Sequence, residues 1–161
     1  MAELRMRPMN LAEYDVFRAK LIREYGADHV QAGNWTEEEA PERSAEEIDR
    51  LLPGKLDTPG QLLLVGETAA GEAAGIVWVA LQHGGPAGMA WIYDIEVKPE
   101  HRGKGYGRAL LEAAERETAA RGVGIIGLNV FGPNQVARGL YESSGYEITT
   151  VQMRKVLLAG D

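Results

Sequence analysis

The chain contains no cysteine, which excludes disulfides, thiolate metal sites and a cysteine nucleophile. Histidine is scarce as well. His29, His83 and His101 are too scattered for a His-rich metal site, and no metal is expected. No apolar run approaches the ~18 residues of a transmembrane helix, so no membrane partner is expected. Positive charge is the next shortage. With 17 Lys and Arg against 24 Asp and Glu, the net charge of −7 argues against a general nucleic-acid binder, which needs a basic face. Met1 to Asn10 carries Arg5 and Arg7 with no apolar stretch behind them, unlike a secretory signal, and the cytoplasm is the expected compartment.

What is present suits one domain over residues 1–161. The composition, 45% hydrophobic and 25% charged, is that of a soluble fold, and no repeat, low-complexity tract or linker divides it. A chain of this length buries roughly 70% of its unfolded surface. Its charge is uneven. Residues 36–49 hold seven acids and one arginine, whereas residues 98–108 hold four cations (Lys98, Arg102, Lys104, Arg108) and one acid, Glu100. A basic island in an acidic protein reads either as a solvated loop or as an anion site.

The periodicity gives a mixed α/β order. Leu4, Met6 and Pro8 fit a short first strand. Asn10 with Glu13 forms a capping box that opens a helix to about Tyr25, with Gly26 as its stop. Two more boxes, Thr36 with Glu39 and Ser44 with Glu47, flank Pro41 and predict a two-part helix ending near Leu52. Three runs, 62–65, 75–81 and 89–97, read as strands of an antiparallel meander, with Gly84-Gly85-Pro86 as a loop. Residues 107–121 form a helix, 125–130 a strand, 134–143 a short helix and 146–155 one or two closing strands.

Two glycine patterns then compete. Gly122 to Gly127 spells G-x-G-x-x-G, but it ends a helix and enters a strand, the reverse of a dinucleotide fingerprint. Arg102-Gly103-Lys104-Gly105-Tyr106-Gly107-Arg108 follows a strand and opens a helix. Its glycines let backbone N–H groups converge on an anion, and the helix dipole and three cations add to the attraction. The lysine lacks the GxxxxGK[ST] context of a Mg-nucleotide site, so a pyrophosphate without a metal is the expected ligand.

These residues resemble the GCN5-related N-acetyltransferase (GNAT) family. Arg102 to Gly107 matches its R-x-x-G-x-G motif, preceded by Asp94 to Glu100. A second block, Leu128-Asn129-Val130, Asn134, Ala137 and Leu140 to Tyr146, also follows the family's order. The resemblance implies an α/β (α+β) fold: a mostly antiparallel sheet of six or seven strands, helices on both faces, and one parallel strand pair that splays open. It implies an acetyl-CoA-dependent transfer of acetyl to a primary amine of a small molecule or peptide, and it admits a homodimer. The pantetheine arm would pair along Ile95 to Val97. The pyrophosphate would lie on Arg102, Gly103, Lys104, Gly105, Tyr106, Gly107 and Arg108, with Asn134 touching the cofactor from the second block. A non-catalytic acyl-CoA sensor would keep the glycine turn and dispense with the acids.

An alkylammonium has a pKa of about 10.4, so a base is useful at neutral pH. Many relatives carry a glutamate where this chain has Asn129. Strand alternation puts Asp94 and Glu96 on one side, and Glu96 is the first candidate for the base with Asp94 behind it. Tyr141 matches the family's general-acid tyrosine. A phenol near pKa 10 is a weaker acid than a thiol near 8.5, so a hydrogen bond to the departing thiolate suits it better than full proton transfer. Residues 25–56 and the turn near 149–153 are expected to shape the acceptor pocket, and the acids of 37–49 would favour a cationic acceptor unless they are a solvated helix face.

Overall fold

A computed structural model describes residues 2–82 and 88–158. His83 and the Gly84-Gly85-Pro86 loop fall outside the described residues. In chain order the elements are β1 (Arg5–Pro8), α1 (Leu11–Gln31), α2 (Ala40–Leu51), β2 (Gln61–Glu67), β3 (Ala73–Ala80), β4 (Met89–Val97), α3 (Tyr106–Ala120), β5 (Ile125–Leu128) and α4 (Gln135–Ser143).

The capping box forms as expected. Asn10 Oδ1 accepts from the Glu13 N–H at 2.8 Å, and Glu13 accepts from the Asn10 N–H at 3.0 Å. Gly26 does not stop the helix, which runs on to Gln31. Gly26 instead packs against α2: a Cβ there would lie 3.4 Å from both the Cβ and the carbonyl oxygen of Ala40. The stop comes at Gly33, whose φ of +79° suits glycine. The two-part helix also resolves differently. Thr36 caps a turn, accepting from the Glu39 N–H, and Pro41 sits in the first turn of a single α2. Ser44 is no cap. It is buried, and its hydroxyl donates to the Ile22 carbonyl, joining α2 to α1.

The sheet order is β1-β2-β3-β4-β5, antiparallel from β1 to β4 and parallel between β4 and β5, with α3 as the crossover. Helices cover both faces. On one face Tyr14, Phe17 and Leu21 of α1 and Ile48 of α2 pack on Leu63, Val65 and Trp78. On the other, Leu111 and Ala114 of α3 pack on Leu64, Val77, Val79, Ala90 and Ile92. The described residues form five strands, fewer than the six or seven expected. β5 ends at Leu128, short of Val130, and residues 146–155 enter no strand. Their composition suits a strand, but a strand needs a neighbour to pair with, and composition does not supply one.

β4 carries the irregularity that matters most. Trp78 pairs with Asp94 and Val79 with Ile92, so Tyr93 is one residue too many. This bulge swaps the faces of the strand. Ala90 and Ile92 point to the α3 layer, Tyr93 packs on the α1 side, and Ile95 returns to the α3 layer. Without the bulge, Asp94 and Glu96 would share a face with Ala90 and Ile92, in the apolar layer under α3.

Candidate active site

Two neighbouring strands part company at the middle of β4. β5 pairs with Met89 to Ile92 and goes no further, whereas β4 continues to Val97, paired with β3 all the way. The stretch 93–97 therefore has a strand on one side only. Gly127 allows the close approach before the gap, since a Cβ there would meet the Trp91 ring at 3.0 Å. That packing, with Gly122 at φ +81° after α3, accounts for the first and last glycines of the false dinucleotide pattern.

Asp94 and Glu96 both line a cavity of about 420 Å³ that lies under α1 and also takes in Phe17, Lys20, Leu21 and Val65. Alternation after the bulge thus brings the two carboxylates together. Their surroundings differ. Glu96 is ion-paired with Lys20 and lies 3.8 Å from Arg102. Asp94 has its carboxyl pushed up to about 7, chiefly by burial and then by the negative charge of Glu24, against a smaller opposing effect of Lys20. Asp28 adds to the same field. Lys20, Glu24 and Asp28 are contributions the sequence reading missed. Their i, i+4, i+8 spacing marks one stripe of α1, but which strand that stripe would face was not in the pattern.

The glycine turn sits at the start of α3. Gly103 and Gly105 have φ of +75° and +84°, and Gly105 is the N-cap residue, which has no side chain to bond the first free N–H groups. No acid lies in the first turn. A fifteen-residue helix thus presents uncompensated N–H donors beside a turn. Arg102 folds back, donating Nε to the Val97 carbonyl at 3.2 Å. Arg108 reaches α4, donating to Ser144 Oγ at 3.0 Å and Ser143 Oγ at 2.8 Å. Lys104 is exposed, and Tyr106 packs edge-on to the buried His101.

From the other side, Asn134 is the N-cap of α4, accepting from the Ala137 N–H at 3.2 Å. Tyr141 lies on α4 at the edge of the α3-side core with Ile95 and Leu128. Its phenol is raised above the usual range by burial first and by the charge of Asp94 second. The hydroxyl therefore senses Asp94 across the gap between α4 and β4. Tyr146, 5.9 Å away centre to centre, is committed elsewhere, its hydroxyl donating to Glu115 at 3.0 Å. Asn129 is exposed and lies beyond β5. Of the acids of 37–49, Asp49 is bound by Arg18 and Glu47 accepts from the Tyr25 hydroxyl, so much of that run is spent locally. Trp35 stacks on His29 at 4.0 Å, and Phe131 meets the same imidazole edge-on at 6.1 Å.

Among known proteins, the model of the acetyltransferase (GNAT) family matches residues 21–146. The N-acetyltransferase YycN of Bacillus subtilis, itself uncharacterized, is 32% identical over 94% of this chain and 97% of its own. The crystal structure of YycN has a TM-score of 0.90 to this fold, covering 97% of this chain and 99% of that one. A mycothiol acetyltransferase of Kytococcus sedentarius is 33% identical over 80% of this chain, which spans only 40% of that longer protein.

Proposed function

The chain belongs to the GNAT family of acetyltransferases, and from that premise we propose which of its residues carry out the transfer of acetyl from acetyl-CoA to a primary amine. One observation carries the reading. β4 runs five residues past its pairing with β5, beside a long helix whose N-terminus has no cap and no acid. Residues 94–97 of β4 have a neighbouring strand on the β3 side and none on the other, and that open side suits an amide-rich arm lying alongside like a strand. The α3 N-terminus and the turn from Arg102 to Arg108 suit a pyrophosphate. Both halves of acetyl-CoA thus meet complementary groups. Asn134, the N-cap of α4, is assigned the contact with the cofactor from that helix.

Asp94 is the better of the two bases. Glu96 already answers Lys20 and Arg102, whereas Asp94 sits in a buried acidic field with a carboxyl near 7, where it can both accept and release a proton at neutral pH. The amine, freed of its proton to Asp94, attacks the thioester carbonyl carbon. A backbone N–H of Ile95 or Val97 steadies the oxygen as it becomes negative. The C–S bond then breaks, sulfur leaves with the electron pair, and the nitrogen sheds its second proton to the departing thiolate, directly or through water. Tyr141, its phenol held protonated by burial, donates a hydrogen bond to that thiolate. The 420 Å³ cavity under α1 opens on both carboxylates and gives the amine a place on the face away from α3.

The acceptor is a small-molecule or peptide amine. Incubating the chain with acetyl-CoA and an amine panel, and following free thiol, tests the reading. Thiol released only with amine present supports it. Tight acetyl-CoA binding with no thiol release from any amine would turn the chain into an acyl-CoA sensor. Gly105→Asp, which strains the N-cap and sets a charge against the pyrophosphate, is expected to abolish acetyl-CoA binding in calorimetry.

A further inference from the structure

The cavity under α1 is apolar over most of its wall. Val16, Phe17 and Leu21 of α1, Val65 of β2, and Ala73 and Ile76 of β3 line it, and its volume of about 420 Å³ is that of a small-molecule site. Its acids are few and mostly matched. Glu13 is held by Arg7 through hydrogen bonds of 2.7 and 2.8 Å, and Glu96 is ion-paired with Lys20. Of the three acids on the wall, Asp94 alone is in no ion pair among the described residues. The acids of 37–49, expected to draw a cationic acceptor, do not line the cavity.

The order of contacts along α1 gives the cavity a direction. Glu13 lies in the field of Lys98, Lys20 pairs with Glu96, and Glu24 acts on Asp94. Asp94 therefore stands at one end, close to Ile92, where pairing with β5 stops. Away from that end the wall offers apolar side chains and two lysines, Lys20 and Lys98.

We propose that the acceptor is a primary amine with a single positive charge and an apolar alkyl or arylalkyl body, its nitrogen at Asp94 and its body in the cavity under α1. This rests on the transfer reading above and names its substrate class. One uncommitted carboxylate serves one ammonium. A second ammonium carried along the body would lose its water against apolar side chains and meet Lys20 and Lys98. For Glu13 or Glu96 to receive it, each would have to give up the cation it already holds. An apolar body gains by leaving water and fixes the position of the nitrogen. Each added methylene should then raise kcat/KM until the cavity is full.

Thiol release from acetyl-CoA is compared for ethylamine, butylamine, hexylamine and 1,4-diaminobutane. From ethylamine to hexylamine, kcat/KM is expected to rise about fourfold per methylene. Butylamine should exceed the diamine of equal length by ~30-fold or more. Ala73→Phe fills the cavity from β3 and should bring hexylamine down to the level of ethylamine, with acetyl-CoA affinity and ethylamine turnover unchanged. Val16→Glu, at a position 71% exposed, adds an acid to the wall and should narrow the preference for butylamine over the diamine by about threefold. Calorimetry of hexylamine on the CoA-loaded chain separates the cavity from the chemistry. Binding that Ala73→Phe abolishes, without thiol release from any amine, keeps the ligand class and discards the transfer reading. A flat response to chain length, a diamine used as well as butylamine, or hexylamine indifferent to Ala73→Phe overturns the proposal.

Discussion

β4 divides the molecule into two unlike halves. On the β3 side it is paired through Val97, and behind that ladder lie Trp78, Val77 and Tyr14, all but fully buried. On the β5 side pairing stops at Ile92, α4 buries no residue, and the chain beyond it is exposed. Burial is concentrated on the closed side, and the proposed cofactor site lies on the open one. On the proposed reading, the strand that receives the cofactor is held by the β3 ladder and does not depend on β5.

Breaking the closed half should produce the largest effect. Trp78 stacks on Tyr93 at 4.6 Å and donates its indole N–H to Gln61 at 2.7 Å. Trp78→Ala leaves a cavity against Phe17 and is expected to lower stability by about 3–5 kcal/mol in urea unfolding. It also removes the support of the bulge, so the residual folded protein should lose activity. Comparable damage to activity alone, with stability intact, would mean that the closed half does not hold the site.

Asp94 comes next, because it belongs to both halves. Asp94→Asn is expected to lower kcat by about 100- to 1,000-fold and to remove an acidic limb of the pH–rate profile centred near pH 7. Its effect on stability has the opposite sign. The folded carboxyl holds its proton up to about pH 7, whereas an unfolded aspartate releases it near pH 4, so the fold binds more protons between these values. Stability attributable to Asp94 therefore falls as pH rises from about 4 to 7. The Asn variant should unfold like the parent at pH 4 and be more stable than it at pH 8. If the limb stays in Asp94→Asn and vanishes in Glu96→Gln, the base is Glu96.

Tyr141→Phe probes the open half with its packing kept. A hydrogen bond to the leaving thiolate, without full proton transfer, belongs at the lower end of acid–base assistance, so kcat should drop about 100-fold with acetyl-CoA affinity unchanged. An unchanged kcat would return the ring to the α3-side core, where it already touches Tyr146.

How far the sequence revealed these halves follows from what each feature depends on. The capping box at Asn10, the strand 89–97 and the glycine turn are local, and each formed where the pattern put it. Gly26 and Ser44 were misread because each serves a helix–helix contact, and a glycine or serine looks the same whether it ends a helix or packs one. The bulge at Tyr93 depends on the register with β3, which no single strand encodes. The ion pair of Glu96 with Lys20 required knowing where α1 docks. The tail shows the limit most plainly, since its alternating apolar residues look like a strand and yet lie unpaired.

The smallest effect expected is at Asn134, where two roles coincide on one side chain. Its Oδ1 caps α4, and Asn→Ala at such a position costs about 1 kcal/mol. Asn134→Ser keeps an oxygen in reach of the Ala137 N–H and should restore that stability, because serine caps about as well. The cofactor contact separates from the cap by what serine cannot supply, the amide N–H₂ donors. If the amide also holds acetyl-CoA, both variants should raise the KM for acetyl-CoA alike, with kcat little changed, while only the alanine variant unfolds earlier. If serine restores the KM together with the melting temperature, Asn134 serves α4 alone, and the cofactor is held on the open side by the α3 turn and β4.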